Sequence, residues 1–163
     1  MFGSKLKKAN TAALQALRPL IANMQRNQGL APDFWTDPYV LGYFGFAVAH
    51  HAKLATHGQI SPTDLGIVLA DVFGALSNMN GEAIRRRYIE LIDKDGADFK
   101  RANDDAAALF LYQIGALKDE ADHPLVRTAS RLAGGSQDRE RVAAMICVVS
   151  FVRECEKRFK ISN

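Results

Sequence analysis

The chain has 163 residues, of which 48% are hydrophobic and 24% are charged, and its formal net charge is +3. This composition excludes a disordered polypeptide, and no apolar run reaches the roughly 18 residues that a membrane-spanning helix needs. The length fits one domain, so we expect a single domain over residues 1–163.

The N-terminal segment has the apolar spacing of an amphipathic helix. Apolar side chains recur every three or four residues, at Leu6, Ala9, Ala13, Leu17, Leu20 and Met24. This period predicts a helix over about residues 4–26. Pro19 lies inside it and should kink or split the helix, because proline lacks a backbone donor and clashes with the preceding turn.

The second predicted helix is apolar on all sides. Asp37 can cap its first turn and Pro38 suits the first helical position, so we place it from about Pro38 to Thr56. Residues 34–46 hold six of the 14 aromatic residues. A helix of this kind is either central in a core or covered by a partner.

Capping residues and glycine stops mark the remaining helices. Ser61 can cap a third helix, Asn80 can cap a fourth, and Gly134 and Gly135 end the sixth. The last three helices are expected at about residues 98–118, 123–132 and 137–159. On the fourth helix, the spacing turns these residues inward: Ile84, Tyr88, Leu91 and Ile92. No segment alternates as a strand would, so the sequence predicts an all-α fold, a single-domain compact bundle of six or seven helices.

The aromatic segment supplies the candidates for an interface or a ligand pocket. They are Trp35, Tyr39, Tyr43, Phe46 and His50. Tyrosine and tryptophan are enriched at protein interfaces because each combines a large apolar area with a polar group. A central core helix is the simpler interpretation of the same residues, and the pattern favours it.

Three of the four histidines follow on the same segment, at positions 50, 51 and 57. Two histidines on one helix chelate a metal when they are four residues apart, because their side chains then lie one turn apart on one face. The spacings here are one, six and seven, so no pair can chelate a metal alone. We therefore predict no metal site and no cofactor, and interpret these residues as core or surface histidines.

The stretch from Lys53 to Asp64 resembles an EF-hand calcium loop in outline, with Gly58 and Ile60 at the expected places. Its first three ligand positions would be Lys53, Ala55 and His57, and none of these supplies an oxygen ligand. Calcium binding is therefore not expected, and a helix–turn–helix connection explains the same residues.

The run Arg85-Arg86-Arg87 could contact phosphate groups. Three consecutive helical residues fan out around the axis and form no single patch. Glu82 and Glu90 are close enough in sequence to pair with them, for example through Glu82 with Arg86 and Arg86 with Glu90. Few aromatic residues lie among the charges, so we do not expect nucleic-acid binding.

No arrangement of nucleophile and base is apparent, and we predict no catalytic residue. The two cysteines, Cys147 and Cys155, are eight residues apart on one predicted helix, about 12 Å along its axis. They cannot form a disulfide with each other there. Two reduced cysteines are typical of a cytoplasmic protein, and we expect that location.

The positive charge is concentrated at the N-terminus. Residues 1–32 contain five basic residues and no acidic one, whereas residues 33–163 contain 16 basic and 18 acidic residues. We therefore identify Lys5, Lys7 and Lys8 as candidates for electrostatic docking, to a second subunit or another anionic partner. Peripheral contact with an anionic membrane is an alternative that we do not favour.

These observations lead to one functional hypothesis and one alternative. The hypothesis is a non-enzymatic helical protein that acts through protein contacts, as a homo-oligomer, since the second helix is apolar all round and catalytic motifs are lacking. The alternative is a helical module that binds an apolar ligand or cofactor in a pocket lined by aromatic and histidine side chains.

Overall fold

The computed structural model describes residues 2–27 and 29–160, and every regular element within them is helical. Its helices are α1 Phe2–Asn27, α2 Pro38–Ala55, α3 Pro62–Ser77, α4 Gly81–Lys94, α5 Ala97–Gln113, α6 Pro124–Leu132 and α7. The last runs without a break through Arg139–Cys147, the π-helical turn Val148–Val152 and Arg153–Arg158. Short 3-10 turns at Phe34–Thr36 and Glu120–Asp122 precede α2 and α6. The all-α prediction is confirmed.

The helices begin at the residues whose side chains were expected to cap them. Asp37 accepts hydrogen bonds from the backbone N–H groups of Tyr39 and Val40, at 2.8 and 3.1 Å. Ser61 accepts from the N–H of Asp64 at 3.0 Å, and Asn80 from that of Ala83 at 3.1 Å. Each cap satisfies backbone donors that have no partner within the helix.

The end of α5 differs from the prediction. The helix ends at Gln113 and not near residue 118, because Gly115 adopts a left-handed conformation with φ of 69°. The N–H of Ala116 then bonds to the carbonyl of Leu111 at 2.8 Å, and that of Gly115 to the carbonyl of Tyr112 at 3.0 Å. This pair of bonds is a Schellman motif, which closes a helix.

Helix α1 is not split at Pro19, because this residue lies on the exposed side, where solvent can satisfy the carbonyl group that loses its partner. One further expectation was wrong. Ile92 is 46% exposed and does not face the core. It lies about 100° around α4 from Leu91, which is buried.

Backbone contacts divide the chain into two compact units, Met1–Lys100 and Arg101–Asn163. The boundary falls inside α5, which is continuous across it. Our expectation of one domain over the whole chain therefore stays a prediction. No helix in the described part of the chain is long and apolar enough to cross a membrane.

In the first unit, α2 contacts α1, α3 and α4. Its core is an aromatic cluster in which the ring of Phe44 lies 5.3 Å from that of Trp35 and 6.2 Å from that of Tyr43. Two glycines allow close helix packing. The ring of Tyr88 on α4 lies against Gly45, and the backbone of Gly81 lies against the carbonyl of Ala70. A Cβ atom at either glycine would overlap its neighbour.

In the second unit, charged residues connect the helices. Arg101 on α5 pairs with Glu154 on α7 at 2.6 Å, and Glu154 also pairs with Arg158 at 3.0 Å. Arg139 pairs with Glu120 at 3.0 Å, hydrogen-bonds the carbonyl of Tyr112 and lies 4.4 Å from the centre of that tyrosine ring. These contacts hold the ends of α5 and α7 and the turn before α6 together.

Candidate functional site

The five aromatic and histidine candidates are divided between core and surface. Trp35, Tyr39 and Tyr43 are 5%, 0% and 1% exposed, and the rings of Trp35 and Tyr43 pack on that of Phe44. Phe46 and His50, by contrast, are only partly buried. The burial of the first three fits the interpretation of α2 as a core helix and leaves only two of the five at the surface.

Phe46 and His50 belong to a longer surface feature on the C-terminal half of α2. Leu54, one further turn along, is 50% exposed. The three residues are four apart, so they form one ridge along the helix. The rings of Phe46 and His50 are stacked, with centres 6.3 Å apart and planes at 12°. We call Phe46, His50 and Leu54 the α2 ridge.

The electrostatics of the α2 ridge are those of an apolar surface. Burial lowers the pKa of His50, and the positive charge of Lys53 lowers it further. Burial and the neighbouring His50 lower the pKa of His51 to about 4. Both imidazoles are therefore neutral at pH 7. Lys53 is the only charged residue within α2.

The third histidine of this segment lies outside the helix. Helix α2 ends at Ala55, and His57 follows in a left-handed conformation with φ of 51°. The N–H of His57 bonds to the carbonyl of Leu54, and that of Gly58 to the carbonyl of Lys53, which closes the helix. Among the described residues, no three histidine, cysteine, aspartate or glutamate side chains are placed to hold a metal ion.

The basic N-terminal helix packs by its apolar stripe. Ala9, Ala13, Leu17, Ile21 and Met24 are at most 4% exposed. The lysines lie on the outer side, where Lys5 donates to the side chain of Gln59 at 3.4 Å. Neither Lys7 nor Lys8 forms an ion pair with any residue that the structure describes.

Beside these lysines an open groove of about 450 Å³ runs between α1 and the end of α2. It is lined by Ser4, Lys7, Lys8, Thr11, Ala12, Gln15 and Ala55. We call it the α1–α2 groove. Polar and cationic groups thus follow one side of α1, and the small side chains of Ala12 and Ala55 leave its floor open.

The arginine run on α4 is held by glutamates of the same helix. Glu82 pairs with Arg85 at 2.6 Å and with Arg86 at 3.3 Å, while Arg87 pairs with Glu90 at 3.2 Å. The expected Glu82–Arg86 pair is confirmed, but Glu90 takes Arg87 as its partner and not Arg86. The hydrogen bond from Arg85 lowers the pKa of Glu82 to about 2, although desolvation opposes this shift.

Sequence reasoning missed several surface residues. Leu54 lies four residues after His50, so the ridge spacing is visible in the sequence, but the sequence pattern does not show that Leu54 is exposed whereas Tyr39 and Tyr43 are buried. Ser4, Thr11 and Gln15 carry no motif, and nothing in the sequence brings them beside Ala55. Only the packing of α1 against α2 does so.

No protein-family model, curated protein or solved structure shows detectable similarity to this chain. Its function is therefore inferred from its own residues and their geometry.

Proposed function

We propose that this is a non-enzymatic helical protein that acts through protein contacts, and that it associates with a second copy of itself through the α2 ridge. The observation that supports this is the 50% exposure of Leu54 next to the partly buried Phe46 and His50, on a helix whose other large apolar side chains lie in the core of its unit. An apolar ridge on a helix with a single charged residue gains free energy when it is covered.

The spacing of the α2 ridge suits pairing with its own copy. Side chains four residues apart form ridges that fit the grooves of a facing helix. A two-fold symmetric contact uses the same patch twice, so the patch must complement itself. Neutral side chains satisfy this condition, because no like charges meet across the axis. Lys53 lies on the same side of the helix as Phe46, and its long side chain can extend its charge into solvent.

Other exposed apolar residues are less suited to this contact. On α4, Ile89 and Ile92 are 39% and 46% exposed, but Arg86 and Asp93 are also exposed on that helix. A partner on this side would have to desolvate charged groups, which costs free energy. Beside the α2 ridge the single charged group is that of Lys53, whose long side chain can keep its ammonium group in solvent, so the cost is smaller there.

Size-exclusion chromatography with light scattering tests the proposal. We expect the chain to elute as a dimer, and Leu54→Glu to weaken dimerisation at least about tenfold, because a carboxylate would be buried without a partner. Ile92→Glu is the matched control, since the two residues are similarly exposed and receive the same charge. We expect it to change dimerisation less than about twofold.

Three outcomes would count against the proposal. A wild-type chain that stays monomeric at the highest concentration reached would overturn self-association. If Ile92→Glu alone abolishes the dimer, the contact surface lies on α4 and not on α2. An equal loss in both variants would point to a general effect of charge. Circular dichroism of both variants distinguishes dissociation from unfolding.

We also infer that the protein works in a reducing compartment such as the cytoplasm. In support, Cys147 and Cys155 are both thiols in the structure, and the second is fully buried. Reduced cysteines are typical of that environment. Fractionation of the native host would test this, and recovery of the protein from an extracytoplasmic fraction would contradict it.

A further inference from the structure

The α1–α2 groove is a second surface with a different chemistry. It lies in a stretch of chain that holds five basic residues and no acidic one. We infer that the groove binds an acidic, extended segment of a partner protein, with Lys7 and Lys8 receiving its carboxylates. This site is separate from the α2 ridge and does not depend on self-association.

The lining of the groove matches such a segment. Ser4, Lys8, Thr11 and Gln15 recur at spacings of three or four and therefore follow one side of α1. From Ser4 to Gln15 the helix rises about 16 Å, which corresponds to about five residues of extended peptide. Hydroxyl and amide groups can bond to a peptide backbone, while the lysines attract carboxylates. Ala12 and Ala55 allow the backbone to approach closely.

The two lysines are available for a partner. Both side chains are exposed, and neither pairs with a carboxylate among the described residues. On α4, by contrast, every arginine of the run pairs with a glutamate of its own helix. The structure therefore neutralises its other basic cluster internally but leaves the cations of the groove for an external anion.

The geometry favours a peptide over a membrane. A basic helix that binds lipid inserts its apolar face into the bilayer, but this face of α1 packs in the core. Leu6 and Leu20 are partly buried, and the other apolar residues of the face are at most 4% exposed, namely Ala9, Ala13, Leu17, Ile21 and Met24.

The geometry also favours a peptide over nucleic acid. Proteins that bind single strands stack bases on aromatic rings or arginine planes, and the groove is lined by neither. Lysine ammonium groups provide charge without that stacking.

Fluorescence anisotropy with the full chain tests this inference. The probe is a labelled, end-capped peptide of about eight residues in which glutamate and alanine alternate, and its counterpart carries glutamine in place of glutamate. We expect the acidic peptide to bind and the neutral one to bind at least about tenfold more weakly. Added salt should weaken the binding.

Charge-reversal pairs on the same helix locate the site. Lys7→Glu with Lys8→Glu should weaken binding at least about tenfold. Arg18→Glu with Arg26→Glu changes the net charge equally outside the groove, and should change affinity less than about threefold. Thr11→Trp keeps the charge but fills the groove, and should also abolish binding. All these residues are exposed, so the fold should persist.

The inference is overturned if the acidic peptide does not bind, or if both charge-reversal pairs weaken it equally. It is also overturned if phosphatidylserine vesicles or single-stranded RNA bind to the wild-type chain more tightly than the peptide does, and if the Lys7→Glu, Lys8→Glu double variant no longer binds them. Loss of peptide binding in Thr11→Trp, with the dimer intact, would confirm the groove independently of the α2 ridge.

Discussion

At the scale of single residues, the histidines of α2 are informative because their chemistry depends on packing. His50 and His51 are sequence neighbours whose rings lie edge to face with centres 5.7 Å apart. Both have lowered pKa values, with burial as the first cause. No metal is needed to explain the pair. Neutral imidazoles on the apolar helix keep the α2 ridge free of charge at neutral pH.

The lowered pKa of His51 predicts how stability depends on pH. Between pH 6.5 and about 4, the unfolded chain binds a proton at this residue that the folded chain does not. The free energy of unfolding should therefore fall as the pH falls through this range. From pH 7 to pH 5 we expect the wild type to lose about 1 kcal/mol more than His51→Gln, after allowing for solvent screening of this partly exposed group.

Urea denaturation at the two pH values measures this difference. His51→Asn serves as a second variant without a titrating group and should behave like His51→Gln. The prediction is contradicted if the free energy of unfolding differs between wild type and variants by the same amount at pH 7 and at pH 5. His51 would then have the same pKa in the folded and the unfolded chain.

At the scale of elements, contacts too close for a side chain determine how the helices of the first unit pack. Gly45 brings α2 against the ring of Tyr88, and Gly81 brings the start of α4 against the backbone of α3. Tyr88 in turn packs on Phe73, with ring centres 6.1 Å apart. The aromatic core therefore depends on a position without a side chain.

Gly45→Ala should destabilise the chain by about 2 to 3 kcal/mol, because the new methyl group would overlap the Tyr88 ring and force the helices apart. Gly66→Ala on α3 is the matched control. There the added Cβ atom would lie 3.6 Å from Arg85 Nη1, an ordinary contact. Alanine is a better helix former than glycine, so this variant should gain up to about 1 kcal/mol.

Urea denaturation of both variants measures these changes in the free energy of unfolding. Equal stability of Gly45→Ala and Gly66→Ala would mean that Tyr88 moves aside without cost, and that this glycine does not set the packing of α2 against α4.

At the scale of the whole molecule, the continuity of α5 matters most. Phe99, in the part of this helix that belongs to the first unit, packs on Tyr88 with ring centres 5.6 Å apart. In the part that belongs to the second unit, Ala102, Ala106 and Phe110 are buried. The single domain expected from the sequence stays a prediction, and the backbone contacts form two compact units.

We predict that the chain unfolds in a single transition, because α5 is one continuous helix that belongs to both units and helix formation is cooperative. Differential scanning calorimetry checks this by comparing the calorimetric enthalpy with the van't Hoff enthalpy, which should agree. Two resolved transitions would show instead that residues on either side of Lys100 fold independently.

The sequence by itself determined where the helices lie and where most of them begin. Helical periodicity and side-chain caps act within a few residues, so Asp37, Ser61 and Asn80 could be assigned from local order alone. The stop at Gly115 was missed although it is local, because the apolar period continues to Leu117. The sequence correctly predicted that the arginines at positions 85–87 pair with glutamates of their own helix. It did not determine the partner of Glu90, because both Arg86 and Arg87 are within its reach.

Tertiary structure alone decided what the helices bury and what they leave at the surface. The composition of α2 could not distinguish Tyr39 and Tyr43, which are buried, from Phe46 and His50, which are partly exposed. The groove beside Lys7 required α1 and α2 to pack together. Burial depends on contacts between residues far apart in sequence, and a sequence pattern records only the period of a helix and not the neighbour on each side.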